Sequence, residues 1–306
     1  MIGAHSVSIH KHGPRGFSLV ELLVALTICA IVSAGIAVIV PPARAAFEAT
    51  PAEMELQQRG RVAVDVILQS IRGAGGDVVA ADGFGPFSGV VPPIIPYGDA
   101  DGRFTRLKVI APRADAAQAV LAGHQSSSWG TLPLANLRCP SAPVLCGFSR
   151  DAEAIIFDGS GRFDVFTVAS VDAAGRQLSA DRGLVPPYDA GSVVLEADVY
   201  TLQLQQQPDH TRTLVRVTAG GAVQPIVDRV TEMAFELHGV DETGTLATLP
   251  SGHLTDGPWL RGDPDGSYDE DVFRVRRVDV MLTLQAAPPS TMARTFRFGA
   301  VLRNVP

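Results

Sequence analysis

The stretch "RGFSLVELLVALTICAIVSAGIAVIV", Arg15–Val40, decides how the rest of the chain is read. From Leu22 to Val40 it carries no charge. At ~1.5 Å per residue the run from Phe17 to Val40 makes a helix of roughly 36 Å, enough to cross a hydrocarbon layer of about 30 Å with some tilt. Lys11 and Arg15 precede it, together with His5, His10 and His12. The positive-inside rule keeps such a leader in the cytoplasm and exports the chain beyond the span. Cys29, inside the run, is a small hydrophobe. The discordant residue is Glu21. A carboxylate in hydrocarbon costs roughly 2.5–3.5 kcal/mol on insertion scales, so it needs a partner.

Three readings compete for this stretch. A cleaved secretory signal has a small-x-small site at Ala43–Ala45, but the apolar run exceeds the usual h-region of about 7–15 residues and contains Glu21. A plain signal anchor explains the length and leaves Glu21 unexplained. The third reading rests on "GFSLVELLVA", Gly16–Ala25. It resembles the cleavage and methylation motif of type IV prepilins, a class III signal: Gly, Phe, a small polar residue, Leu, Val or Ile, then Glu.

That resemblance implies a membrane prepilin peptidase that cuts between Gly16 and Phe17 and N-methylates the new terminal Phe17. The helix stays in the product, anchors it in the inner membrane and later lines a filament core. Cleavage also creates a partner for Glu21, the amino group of Phe17 on the same chain or a neighbour. Pairing the two offsets desolvation and favours one axial register. The alternative for Glu21 is a carboxylate that snorkels to the interface.

The chain has 306 residues, 46% of them hydrophobic, which is enough for a sizeable core in one or two domains. A formal net charge of −7 weighs against nucleic-acid binding. Thirty glycines and 22 prolines announce many turns. Pro41-Pro42 is expected to break or kink the helix. A second, amphipathic helix is expected over Pro51–Arg72, with Thr50 as N-cap and Gly73, Gly75 and Gly76 after it. Its buried face is read as Val62, Val66 and Ile67, with Leu56 and Ile71 beside them.

Beyond Gly76 the pattern is β. Strands are expected at Arg106–Ile110, Ala154–Phe157, Phe163–Ser170, Val193–Leu204, Thr213–Val217, Ala222–Val227, Val230–His238, Phe273–Leu284 and Arg294–Leu302. In "FRVRRVDVMLTL" the alternation of Phe273 and Val275 changes phase before Val278, Val280, Leu282 and Leu284. One extra residue near Arg276–Arg277 restores a single buried face, so a β-bulge belongs there. Ala111–Arg150 reads as one long loop. The segments "VQPIVDRVTEMAFELHGVD", "DVFRVRRVDVMLTLQ" and "TFRFGAVLRN" resemble the C-terminal region of PilW-type minor pilins and GspJ-type pseudopilins, diffusely rather than by a crisp motif.

Two loops carry candidate chemistry. Cys139 and Cys146 in "RCPSAPVLCGF" form a disulfide if that part is exported, or stay as separate thiols. "RGDPDGSYDED" offers calcium the oxygens of Asp263, Asp265, Ser267, Asp269 and Asp271, though it lacks the glycine and glutamate of an EF-hand; the alternative is a solvated acidic turn. Some pseudopilins bind calcium through such loops. There is no GxSxG elbow and no HExxH. His124 beside Ser126–Ser128 lacks a third, orienting group in sequence. Glu153, Asp158 and Asp164 could be paired in space.

The reading is therefore an α+β protein, with a long N-terminal membrane-spanning helix packed on a mainly antiparallel β-sheet head of type IV pilin-like form. Residues 1–16 are a cleaved leader, 17–40 the membrane and filament-core helix, 41–76 its amphipathic continuation and 77–306 a periplasmic head. No catalytic residue is expected. The implied partners are the prepilin peptidase and methyltransferase, other minor and major pilins or pseudopilins, the inner-membrane assembly platform and the lipid bilayer. DNA at a pilus tip remains open. The rivals are a type II secretion pseudopilin, an exported enzyme or ligand-binding domain on a signal anchor, and a soluble periplasmic protein cut after Ala45.

Overall fold

The computed structural model describes residues 18–76, 91–99, 102–112, 116–125, 130–138, 145–159, 162–184, 187–240, 244–249, 271–288 and 290–302. The chain divides into two units, one ending at Ala52 and the other beginning at Glu53.

A single helix, α1, runs Leu19–Gly73 over 55 residues. The expected break at Pro41-Pro42 does not occur. Each proline removes one backbone donor, but its fixed φ is helical. The lost bonds are adjacent, and Ala43, Ala45 and Ala46, the best helix formers, follow at once. In the first unit, Leu19–Ile39 is long and apolar enough to cross a membrane, with a mean hydropathy of 2.8. Thr27 turns its hydroxyl back onto the Val24 carbonyl at 2.8 Å, so this polar side chain does not present an unmet donor within the span.

In the second unit the strands dominate. They are β1 (Ile94–Gly98), β2 (Phe104–Pro112), β3 (Gln118–Leu121), β4 (Thr131–Arg138), β5 (Glu153–Phe157), β6 (Phe163–Asp172), β7 (Gln177–Ala180), β8 (Val193–Gln206), β9 (Arg212–Thr218), β10 (Val223–Val227), β11 (Val230–Val240), β12 (Leu246–Thr248), β13 (Val275–Gln285) and β14 (Ala293–Val301). They join in one 14-stranded network whose main path is β14-β13-β11-β2-β8-β3-β4-β7-β6-β5. The expected helix and large antiparallel sheet are both present, and the protein is mostly strand.

All nine expected strands form, with shifted ends. The bulge also forms. Arg277 pairs with His238 and Val275 with Gly239, so Arg276 is the additional residue of β13. Its guanidinium donates to the Phe273 carbonyl at 3.0 Å, and its carbonyl accepts from Leu302 N at 2.9 Å. Val275, Val278, Val280, Leu282 and Leu284 then all fall on the buried side. Phe273 lies instead in a helical turn, Asp271–Arg274, before the strand begins.

The long loop expected over Ala111–Arg150 contains β3, β4 and a 3-10 turn, Leu145–Gly147. β3 is only four residues long, and Pro133 in β4 reads as a breaker. A proline loses only its donor, however, and the Pro133 carbonyl still accepts from Ala122 N at 2.8 Å. This region closes its own core around Tyr188, Phe166, Leu132 and Ile156. Glu153 ties it to the rest of the sheet, accepting from Val199 N at 2.8 Å and Gly220 N at 3.2 Å.

From Glu53 onward, α1 buries Leu56, Ala63, Ile67 and Ile71, and Ala74 is buried just past its end. That face keeps the expected Leu56, Ile67 and Ile71 but not the expected Val62 and Val66. Val62 is 51% exposed and Val66 is half-buried, because the buried stripe also uses Gly60 and Ser70. Small residues at 60 and 63 bring the helix close to the sheet, a signal that a count of large apolar residues overlooks. A Cβ at Gly60 would run into the Phe296 ring of β14. Ser70, 6% exposed, donates to the Val66 carbonyl at 2.8 Å, and the Arg216 guanidinium stacks 3.6 Å from the Tyr200 ring centroid. Burial raises the Tyr200 phenol above its ordinary range. Past the helix end, Gly75 N donates to the Ile110 carbonyl at 2.9 Å.

Arg59 pins the helix to the sheet's turns. It reaches Asp228 Oδ1 at 2.8 Å, the Gln285 carbonyl at 3.2 Å and Glu55 Oε1 at 3.3 Å, and it also bonds the Asp228 carbonyl. Its side chain is only 16% exposed. Hydrogen bonds to a charged donor are worth about 1.5–3 kcal/mol, so Arg59→Met is expected to lower stability by about 2 kcal/mol. Thermal or urea unfolding measures this, and an unchanged midpoint would remove Arg59 from the docking account.

Candidate functional site

The candidate processing site lies at the start of α1. Gly16 and Phe17 lie outside the described residues, immediately before Ser18. Ser18 N donates to Glu21 Oε2 at 3.1 Å, and Glu21 N donates to Ser18 Oγ at 3.2 Å. This is a reciprocal capping box, Ser-x-x-Glu, with Ser18 as N-cap and Glu21 as third helical residue. The first four amides of any helix lack internal acceptors, and a carboxylate there also faces the positive end of the helix dipole.

Glu21 therefore has a partner even before any new amino terminus exists. Ser18 is the capping residue absent from the expected set. Its signal is present in the sequence: a serine three places before a glutamate, directly ahead of an apolar run. The box also sets the helix boundary. Ser18 is the last residue before the helix, so the peptide bond between Gly16 and Phe17 precedes the first helical residue.

The model of the prokaryotic N-terminal methylation motif matches residues 11–37. The chain carries a prepilin-type N-terminal signal. The match covers Lys11 and Arg15 at the end of the leader, the Gly16-Phe17 junction, Glu21 and most of the apolar span. No curated protein and no solved structure matches the chain.

The other expected sites are placed as follows. Cys29 is a free, exposed thiol on α1. Cys139 lies outside the described residues, as does any pairing with Cys146, whose backbone is in the 3-10 turn. Asp263, Asp265, Ser267 and Asp269 lie outside them too, and Asp271 opens the helical turn before β13. Among the described residues no group of three or more His, Cys, Asp or Glu is arranged to hold a metal ion.

His124 does have a carboxylate neighbour. Its Nδ1 lies 2.7 Å from Asp189 Oδ1, and both side chains are largely exposed. The contact sits beside the backbone bridge between Gln125 and Tyr188. Ser126–Ser128 lie outside the described residues.

Glu153, Asp158 and Asp164 do separate jobs. Glu153 holds two backbone amides, Asp158 accepts from Arg162 N at 3.2 Å, and Asp164 accepts from the Tyr188 hydroxyl at 3.2 Å. Tyr188 is fully buried, and burial with Asp164 beside it pushes its phenol far above its ordinary range. That phenol stays neutral and acts as a donor within the core.

Proposed function

We propose that the chain is a non-catalytic filament subunit, made as a precursor, cut between Gly16 and Phe17, and held in the inner membrane by the apolar part of α1 until it is built into a short filament. The observation that carries this is the methylation motif at residues 11–37, seated on a helix with a membrane-length apolar segment. In this reading the second unit is a periplasmic head that touches other subunits. The prepilin peptidase acts on Gly16-Phe17, and the assembly platform and neighbouring pilins act on the helix.

Of the two filament systems, a minor pilin of a type IV pilus is favoured. The C-terminal segments resemble PilW-type minor pilins, and the chain is longer than that family's major subunits. In that role it primes or caps assembly, and its head is the part available to a surface or to DNA. A type II secretion pseudopilin is the second reading, favoured by the likeness of the same segments to the GspJ type.

The deciding measurement is the amino terminus of the protein extracted from membranes, by intact mass and Edman sequencing. Methyl-Phe17 is expected. A chain beginning at Met1 or Ala46 would overturn the proposal. Recovery in sheared pili, against recovery only when type II secretion genes are present, separates the two systems.

A further inference from the structure

The sheet forks next to β2. On one side β8 pairs with β2 only as far as Leu202↔Leu107, while its pairing with β9 continues to Gln206↔Arg212. Further along that same edge, with β1 on the opposite one, β11 meets β2 at one pair, Phe235↔Phe104, although its ladder with β13 extends from Val230 to Gly239. The end of β8 and the start of β11 therefore each have one edge that no strand among the described residues covers. Leu204 and Gln206 of β8 and Thr231–Ala234 of β11 line the cavity between them, about 650 Å³ in volume. That lies within the roughly 300–1,000 Å³ of ligand clefts.

The charge in this cavity is unevenly spent. Arg103 pairs with Glu232 at 3.1 Å, and its amide donates to Asp99 Oδ1 at 2.9 Å. Arg106 stacks 5.2 Å from the Tyr97 ring centroid, and neither it nor Arg212 has a carboxylate partner among the described residues. Two guanidiniums thus face a polar cleft whose acids are already engaged. A guanidinium takes a carboxylate in two parallel hydrogen bonds, which gives geometry as well as charge.

We propose that this fork is a docking slot for an extended, acidic segment of another subunit. The segment adds its main chain to the open edges of β8 and β11, and its carboxylates meet Arg106 and Arg212. Added strands take affinity from main-chain hydrogen bonds and selectivity from alternate side chains. At about 3.3 Å per residue, the uncovered part of β8 matches a segment of roughly four to six residues. The filament reading enters only in naming a subunit as the source of the segment.

The test uses the full chain in detergent micelles and a fluorescein-labelled, end-capped peptide of alternating threonine and glutamate, read by anisotropy. Saturable binding is expected. A threonine–lysine peptide of the same length is expected not to bind, and a threonine–glutamate peptide with a central proline is expected to bind at least about tenfold more weakly, since proline cannot donate to a ladder. Arg106→Gln and Arg212→Gln, both at exposed side chains, are each expected to weaken binding about tenfold, the loss of one charge-assisted pair.

Absence of saturable binding would overturn the slot, as would equal binding of the lysine peptide or unchanged affinity in both glutamine variants. Equal binding of the proline peptide, or full competition by inorganic phosphate, would make the site a small-anion site and overturn it as well. The peptide series on the unaltered chain decides the matter even where a variant melts early. Peptide binding and the amino-terminal residue are read separately, so failure of one leaves the other standing.

Discussion

Glu21→Ala is expected to be cut after Gly16 at nearly the normal rate and yet to be almost absent from filaments. The cut depends on the residues around Gly16 and Phe17, and Glu21 lies a helical turn further on. Incorporation depends on what the carboxylate meets afterwards. In the precursor it holds the Ser18 amide. If cleavage follows the proposed function, the freed Phe17 amine, next to Ser18 in sequence, is expected to be the stronger partner, because it is charged.

Removing one member of a desolvated ion pair costs about 3–5 kcal/mol, more than two decades in an equilibrium. Losing the cap alone costs about 1 kcal/mol. Two further variants separate these effects. Glu21→Gln keeps an acceptor for the Ser18 amide but not the charge, so it is expected to assemble as poorly as Glu21→Ala. Ser18→Ala removes the other half of the box and is expected to lower incorporation only a few-fold. Densitometry of sheared filaments against membrane-bound subunit provides the reading. Normal assembly of Glu21→Gln would assign the residue's value to the cap and not to the pairing with the amine.

The sequence made the strongly periodic elements legible. A charge-free run, an alternating strand or a phase change at Arg276–Arg277 each leaves a pattern that few other structures produce. The bulge was readable because β13 must keep Val275 and Val278 on one face, and only an added residue allows it. What escaped was set by small or polar residues whose worth depends on a distant partner. β3 and β4 escaped inside the stretch read as one long loop, because the bond from Ala122 N to the Pro133 carbonyl that helps seat β4 is not visible in the linear pattern. The helix through Pro41-Pro42 escaped because two local costs were weighed without the turns on either side. At the candidate site the motif was plain, but Ser18 was treated as a small polar filler and not as the cap that Glu21 answers.

The small residues of α1's buried face escaped for the same reason, and Gly60 among them carries the largest stability effect expected in the second unit. Gly60→Leu is expected to destabilise that unit by about 3 kcal/mol. Glycine in a helix interior is about 1 kcal/mol worse than alanine, so its presence at 60 runs against helix propensity. Its place is explained by the Phe296 ring, which occupies the space a side chain would need. Overpacking a filled interface costs about 1–3 kcal/mol, and a leucine brings more than a methyl. It would push α1 away from β14 and loosen the neighbouring Arg294–Glu53 pair, at 3.5 Å, along with the Arg59 contacts.

Phe296→Ala alone is also expected to destabilise, because it leaves a cavity under Gly60. The two changes together should be less damaging than their sum by about 1 kcal/mol or more, on the order of coupling between residues in contact. Urea unfolding of the four proteins closes the cycle. Additive losses would mean that the helix does not rest on the Phe296 ring, and that Gly60 owes its place to something other than the close approach of α1 to the edge strand.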